Sequence, residues 1–160
     1  MMVNRFSFLA SLLLAAAPLR AGVATQKYDW KPVKGVQEIH VETDHVVVSS
    51  LEFDMGDRLA PLKASTAHAV ARVDNNGYLA YEVGVAIAVF DGDGNIVAAG
   101  SGGSKVGHLG KGERDTFTIR FPYVYRGLEN AKTFLVTLET REKSNAKSRA
   151  RDAAKPTPEH

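Results

Sequence analysis

The chain of 160 residues contains no cysteine, and that absence excludes disulfides, thiolate metal sites, thiol nucleophiles and an acylated lipoprotein cysteine together. Aromatics are sparse, 8% of residues with one tryptophan, so a core built from them has few large anchors. Nucleotide motifs are missing as well. In "GSGGSKVGHLGKGE" (residues 100–113), Gly110-Lys111 is followed by Gly112 where a Walker loop needs Ser or Thr, and Lys105 stands where a dinucleotide fingerprint needs its third glycine. There is no G-x-S-x-G elbow to mark a hydrolase nucleophile. Positive charge is scarce over most of the chain. Residues 25–140 hold 12 Lys and Arg against 15 Asp and Glu, whereas residues 141–160 hold 6 against 3. A domain of net negative charge lacks the basic face that nucleic acid requires, so no nucleic-acid partner is expected.

What is present begins with a leader. Arg5 supplies a charged start, "FSFLASLLLAAAPL" (residues 6–19) an apolar run, and Gly22-Val23-Ala24 small residues of the kind an export peptidase reads. The run is shorter than the about 20 residues a spanning helix needs and is closed by Pro18 and Arg20. Residues 1–24 therefore read as a signal peptide cleaved after Ala24, with Ala21 as the alternative. The mature chain is expected in the periplasm or outside the cell, with no stable membrane span. Residues 25–35, "TQKYDWKPVKG", read as an extended lead-in whose Tyr28 and Trp30 can clip onto the domain. Residues 141–160 are rich in Lys, Arg, Ser and Pro without an apolar stripe, which predicts a disordered basic tail.

Between these segments, residues 36–140, the period is two. Ile39 and Val41 alternate with Glu38, His40 and Glu42; "HVVVSSLEFDM" follows, rich in β-branched residues. Ala67, Ala69 and Ala71 alternate with Thr66, His68, Val70 and Arg72. The longest run, "YLAYEVGVAIAVFD" (residues 78–91), places Tyr81, Val83, Val85, Ile87 and Val89 on one face, and Gly84 argues against a helix there. "NIVAAGSGGSKV", "RDTFTIRF" and "KTFLVTLETR" complete about seven strands separated by turns. This pattern predicts an all-β, immunoglobulin-like sandwich of two antiparallel sheets.

The turn Asp91-Gly92-Asp93-Gly94-Asn95 raises the question of an ion-binding loop. Asp91, Asp93 and Asn95 fall at positions 1, 3 and 5 of a calcium loop, but Ile96 occupies the glycine position and Gly102 the place of the bidentate glutamate. A hairpin fits better, with Asp91 capping the turn and Gly94 left-handed. A weak, partly hydrated cation is the alternative. The run ending in "AVFDGDGNIV", the later "LGKGE" turn and the following "TFTIRF" resemble FxLYD-type and related bacterial envelope domains. In these an aromatic residue and Asp close a strand, a glycine hairpin follows, and a Gly-Glu turn precedes a Phe-containing strand. The likeness spans residues 64–140. Val89-Phe90-Asp91 stands where Leu-Tyr-Asp is the pattern, and residues 110–112 lack its proline. It implies an accessory or binding module and carries over no catalytic residue.

Candidates for chemistry are few. His40, Glu42 and Asp44 lie at i, i+2 and i+4 and would share a strand face, but at about 7 Å spacing they need a second strand to close on a metal. Serines 49, 50, 101 and 104 and histidines 40, 45, 68 and 108 allow a triad that only geometry can reveal. Ala67, Ala69, Ala71, Gly84, Ala86, Ala88, Ala98 and Gly100 could form one small-residue face, either a partner platform or a surface filled by Phe53, Phe117, Phe121 and Phe134 from the opposite sheet. The expected function is an exported, non-enzymatic binding or accessory module of the bacterial envelope, with no cofactor, acting on another envelope protein or polymer. The alternatives are a small secreted hydrolase or metal-dependent enzyme, and a structural protein that binds anionic polymer through its basic tail.

Overall fold

Alternating apolar side chains force the chain to bury one face of each strand, and the computed structural model shows how the faces meet. It describes residues 21–31, 35–54, 67–104, 107–122, 124 and 130–143. Most of the expected leader, residues 1–20, and residues 144–160 of the expected tail lie outside the described residues. Among the described residues eight strands run β1 (Ala21–Asp29), β2 (Val36–Thr43), β3 (Val46–Asp54), β4 (His68–Asn75), β5 (Tyr81–Asp91), β6 (Ile96–Gly103), β7 (Arg114–Arg120) and β8 (Ala131–Glu142). They form two antiparallel sheets of four, a first sheet β1-β8-β5-β6 and a second β2-β3-β4-β7. Among the described residues no helix is long and apolar enough to cross a membrane.

The sheet order has a direct reading. Strands β3, β4 and β7 lie side by side as A, B and E do in an immunoglobulin domain, and β8, β5 and β6 follow F, C and C′. The place beside F, where G would lie, is filled from the opposite end of the chain: β1 pairs antiparallel with β8 from Ala21↔Arg141 to Asp29↔Thr133. The lead-in is thus a strand of the sandwich. It begins four residues inside the expected leader. Alternation is muted there because β1 is an edge strand with few inward apolar side chains, Ala24 and Tyr28 packing against the core with Trp30 just beyond.

The core lies between the sheets. Val83, Val85, Ile87 and Val89 of β5 and Phe134, Val136 and Leu138 of β8 face Val46, Val48, Leu51, Val73, Phe117 and Ile119, all of them buried. Each fully buried side chain of this size contributes about 1.5–3 kcal/mol. Tyr28 and Trp30 join an aromatic cluster at one end, with Trp30 edge-on to Phe53 at 4.8 Å and Tyr28 stacked on Phe134 at 5.4 Å between ring centres. The small residues divide between two surfaces. Ala67, Ala69, Ala71 and Ala98 are buried in the core, while Gly84, Ala86 and Ala88 take the opposite parity to the buried residues of β5 and point outward. Much of the bulk beside the buried alanines comes from their own sheet, since Phe53 pairs with Ala69 and Phe117 with Ala71.

Both open flanks of the sandwich are closed, by different means. Along β1 and β2 the Tyr28 hydroxyl donates to the His40 carbonyl at 2.8 Å and accepts from the His40 N–H at 3.0 Å. Those two backbone groups sit where the register of β2 against β3 shifts, so the phenol satisfies what the bulge leaves unpaired. Along β6 and β7 the device is the absence of side chains. A Cβ on Gly100 would collide with the Arg120 carbonyl, and one on Gly102 would lie 2.9 Å from the Thr118 carbonyl. Glycine lets the two backbones meet. At the loop end Asn75 is buried, its Nδ2 directed at the carbonyls of Leu79 (2.8 Å), Leu109 (3.1 Å) and Gly110 (2.8 Å) and its Oδ1 accepting from the Gly77 N–H (2.9 Å). The adjoining turn, with Gly112 at φ 67°, is capped by Glu113, whose Oε2 accepts from the Gly110 N–H at 2.7 Å.

Strand β8 continues past Thr140. Arg141 pairs with Glu82 both in the ladder and through its side chain, and the Lys143 N–H donates to the Ala80 carbonyl at 2.9 Å.

Two consequences can be measured. Gly100→Ala should destabilise the domain by about 1–3 kcal/mol, because the Arg120 backbone must move to admit a methyl group, and a urea titration reads the loss directly. Deleting residues 144–160 should leave the melting temperature unchanged, whereas deleting from Arg141 should lower it by at least about 4–8 °C, since the ladder pairs of Arg141 and Glu142, the Arg141–Glu82 ion pair and the bond from Lys143 to Ala80 are lost together. Equal effects from the two deletions would mean that the end of β8 contributes nothing.

Candidate functional site

The two sheets present different outer faces. On the second sheet Arg72, Asp74 and Arg114 make a connected charged set: the Ser49 hydroxyl donates to Asp74 Oδ2 at 2.9 Å, Arg114 Nε bonds Oδ1, and Arg72 Nε lies 3.9 Å away. Burial by itself would raise the Asp74 carboxyl, but the hydrogen bonds from Arg114 and Ser49 and the two guanidinium charges outweigh it and hold the group below the usual carboxylate range. These groups satisfy one another.

The first sheet is different. The outward residues of its four strands, set in register, are Val23, Thr25 and Lys27 on β1, Leu135, Thr137 and Glu139 on β8, Gly84, Ala86 and Ala88 on β5, and Ala99, Ser101 and Gly103 on β6. One row across the sheet reads Thr25, Thr137, Ala86, Ser101, and the next Lys27, Leu135, Ala88, Ala99. The Thr25 and Thr137 hydroxyls hydrogen-bond at 3.0 Å. Such a face is smooth because no side chain on it is long except near the ends.

At one end the face dips. A depression of about 460 Å³ is lined by Lys27, Phe90, Asp91, Gly92, Gly94, Lys132, Thr133 and Leu135. Lys27 comes from β1, Lys132, Thr133 and Leu135 from β8, and the rest from the end of β5 and the turn to β6. Phe90 and Leu135 give it an apolar surface, and each of Lys27 and Lys132 adds a positive charge. Ile96, across the ladder from Phe90, is 55% exposed beside it.

The turn that walls the depression is built from its own residues. Asp91 Oδ1 accepts from the N–H groups of Asp93 and Asn95, both at 2.9 Å, and Asn95 Nδ2 donates to Oδ2 at 3.1 Å. Gly94 has φ 86°, the left-handed conformation a side chain would oppose. Asn95 then returns its carbonyl to the Asp91 N–H at 3.0 Å. The Asn95 side chain and the turn amides hold the Asp91 carboxyl below the usual range. Both its oxygens serve the turn, so Asp91 and Asn95 cap a hairpin, and Asp93 is joined to them through its backbone.

His40, Glu42 and Asp44 do not converge. His40 Nε2 and Glu42 Oε2 lie 3.2 Å apart on the exposed face of β2. Asp44 belongs to the turn into β3, where Asp44 (φ 50°) and His45 (φ 66°) are both left-handed, and its Oδ2 accepts from the Thr140 hydroxyl of the other sheet at 2.8 Å. Among the described residues no group of three His, Asp or Glu side chains is placed to hold a metal ion. Of the serines proposed for a triad, Ser49 is engaged by Asp74; of the histidines, His108 Nδ1 lies 2.9 Å from Lys143 Nζ. The turn of residues 91–95 that walls the depression was signalled by its motif, but Lys27 and Lys132 were not, since they are far apart in sequence and only the β1-β8-β5 order brings them to it.

Neither a protein-family model nor a curated protein matches the chain.

The hairpin makes a testable forecast. In a carboxyl-detected NMR titration Asp91 should protonate at lower pH than an ordinary aspartate, and Asn95→Ala should move its midpoint upward. Calcium should leave the melting temperature of the protein unchanged; a chelator-sensitive rise abolished by Asp91→Ala with Asp93→Ala would establish an ion loop instead.

Proposed function

We propose that this chain is an exported, non-enzymatic binding module of the bacterial cell envelope, and that it engages a protein partner through the outer face of the first sheet. One observation carries the reading: on the outer face of four strands eight of the twelve outward residues are Thr, Ala, Ser or Gly, and the face ends in a depression lined by Phe90, Leu135, Asp91 and two lysines. A face of short side chains costs little conformational entropy to cover, and it admits a partner's larger side chains without rearrangement. The leader pattern of the sequence and the resemblance of β5, β6 and β7 to envelope domains support the location.

Magnitude sets the kind of binding. Four strands about 4.8 Å apart, with a face running ~26 Å along β5, give roughly 500 Å², less than the about 800 Å² that one side of a standard interface buries. The partner therefore binds reversibly, its anchor an apolar side chain in the depression with a carboxylate set against Lys27 and Lys132.

Affinity capture of the tagged protein from its own envelope fraction tests this. Ala86→Arg, in the middle of the smooth face, should lower partner affinity at least about tenfold, 1.4 kcal/mol, and Lys27→Glu with Lys132→Glu should lower it further while making what remains less sensitive to salt. Melting should stay the same, because all three side chains are exposed. Capture undiminished by either variant would place the interface elsewhere, and turnover of ester, glycoside or peptide substrates would replace the binding reading with an enzyme.

A further inference from the structure

The outer face of the first sheet carries charges that nothing on the same copy answers. Lys27 and Lys132 stand at the depression and Glu139 toward the other end of the face, all three exposed. None of them enters an ion pair among the described residues, where the pairs are His40–Glu42, Arg72–Asp74, Arg114–Asp74 and Arg141–Glu82. Lys27 lies across from Leu135, four residues along β8 from Glu139. At about 3.3 Å per residue the separation is ~13 Å, too far for Lys27 and Glu139 of one copy to meet.

The ladder gives the face a middle. Thr25, Thr137, Ala86 and Ser101 form one row across the four strands. Two residues to one side of it stand Leu135, Ala88 and Ala99, and two residues to the other Glu139, Gly84 and Gly103. A two-fold rotation about the middle row lays a second copy face to face with the first, each strand over its own counterpart in the opposite direction, which is the aligned manner in which sheets stack. The two flanking rows then exchange. Ala88 meets Gly84 and Ala99 meets Gly103, small residues against small, so the sheets can approach closely. Leu135 meets Glu139. The glutamate stem rests on the leucine, and its carboxylate arrives at the depression that Lys27 and Lys132 line. Because the operation is two-fold, the contact is made twice. Beyond it Thr133 meets Arg141, whose charge is already held by Glu82. A rotation about the strand direction would instead set Lys27 over Ala99 and Glu139 over Gly84, and every charge would stay unanswered.

Resting on the reading of this face as an interface, we infer that its partner is a second copy of this chain, and that Glu139 of each copy enters the depression of the other against Lys27 and Lys132. All three residues lie outside the expected leader, so the contact survives its removal. Roughly 500 Å² from each copy makes about 1,000 Å² in all, the low end for a specific interface. The dimer therefore exchanges with monomer.

Sedimentation equilibrium of the mature protein, loaded from micromolar to millimolar concentration, tests this. A monomer–dimer equilibrium is expected, and it should weaken as salt rises. Glu139→Lys alone, and Lys27→Glu with Lys132→Glu, should each weaken self-association at least about tenfold, since each sets like charges together at both contacts. An equimolar mixture of these two variant proteins should recover the association, because in the mixed dimer both contacts again join opposite charges. A variant that had merely lost its fold would gain nothing on mixing. Wild-type protein that stays monomeric throughout would overturn the inference; if Ala86→Arg still abolished capture from the envelope fraction, the face would remain an interface for a different partner. A dimer indifferent to both variants, or variants that fail to associate with each other, would overturn the pairing of Glu139 with the two lysines.

Discussion

Strand β8 is hydrogen-bonded along both edges, to β1 over nine residue pairs and to β5 over eleven, and the first sheet depends on that double ladder. Its twelve residues alternate strictly enough for Phe134, Val136 and Leu138 to enter the core while Leu135 and Thr137 reach the opposite surface. The same strand therefore supplies the centre of the core, the middle of the smooth face, and a wall of the depression. Disturbing its register by one residue would exchange the two sets and place Phe134 in water.

The second constraint is at the flanks. A two-sheet sandwich leaves two long slots between its edges, and each slot must either be filled or be closed. Here one is closed by a side chain, the phenol of Tyr28 bound to the backbone of His40, and the other by removing side chains at Gly100 and Gly102. These solutions respond differently to mutation. The first loses a pair of hydrogen bonds at a partly hydrated edge, worth about 1 kcal/mol, whereas the second resists any added atom. The same logic explains why the glycine-rich segment after β5 resembles a nucleotide loop in composition yet runs as a strand.

The sequence made the strands of period two legible, because β2, β5, β7 and β8 each bury one clean parity. Three things were hidden. Strand β1 passed for a linker, since an edge strand that buries little carries no strong alternation. The parity of the alanines was visible, but which parity faces inward was not: on β4 the small residues are the buried set and on β5 the exposed one, and only the size of their neighbours decides. Asn75 lies in a stretch, Asn-Asn-Gly, whose composition signals only a turn, and its place as a buried hub depends on carbonyls at Leu79, Leu109 and Gly110 that sequence does not bring near it. The candidate site was hidden for a related reason, since Lys27 and Lys132 are joined by a pairing of the chain's two ends.

That pairing has a kinetic meaning. Ala21 lies opposite Arg141, so the first strand to be synthesised cannot find its place until the last has been made. Contacts of such long sequence separation are slow to form, because the loop between them must close before any of its hydrogen bonds help. Until β8 arrives, β5 lacks its second neighbour and β1 has no partner, and the first sheet has no assembled face. The fold is in effect locked by its own carboxyl-terminal strand: any chain still being made, or still being threaded through a pore, is held short of its native state however well its earlier hairpins have formed.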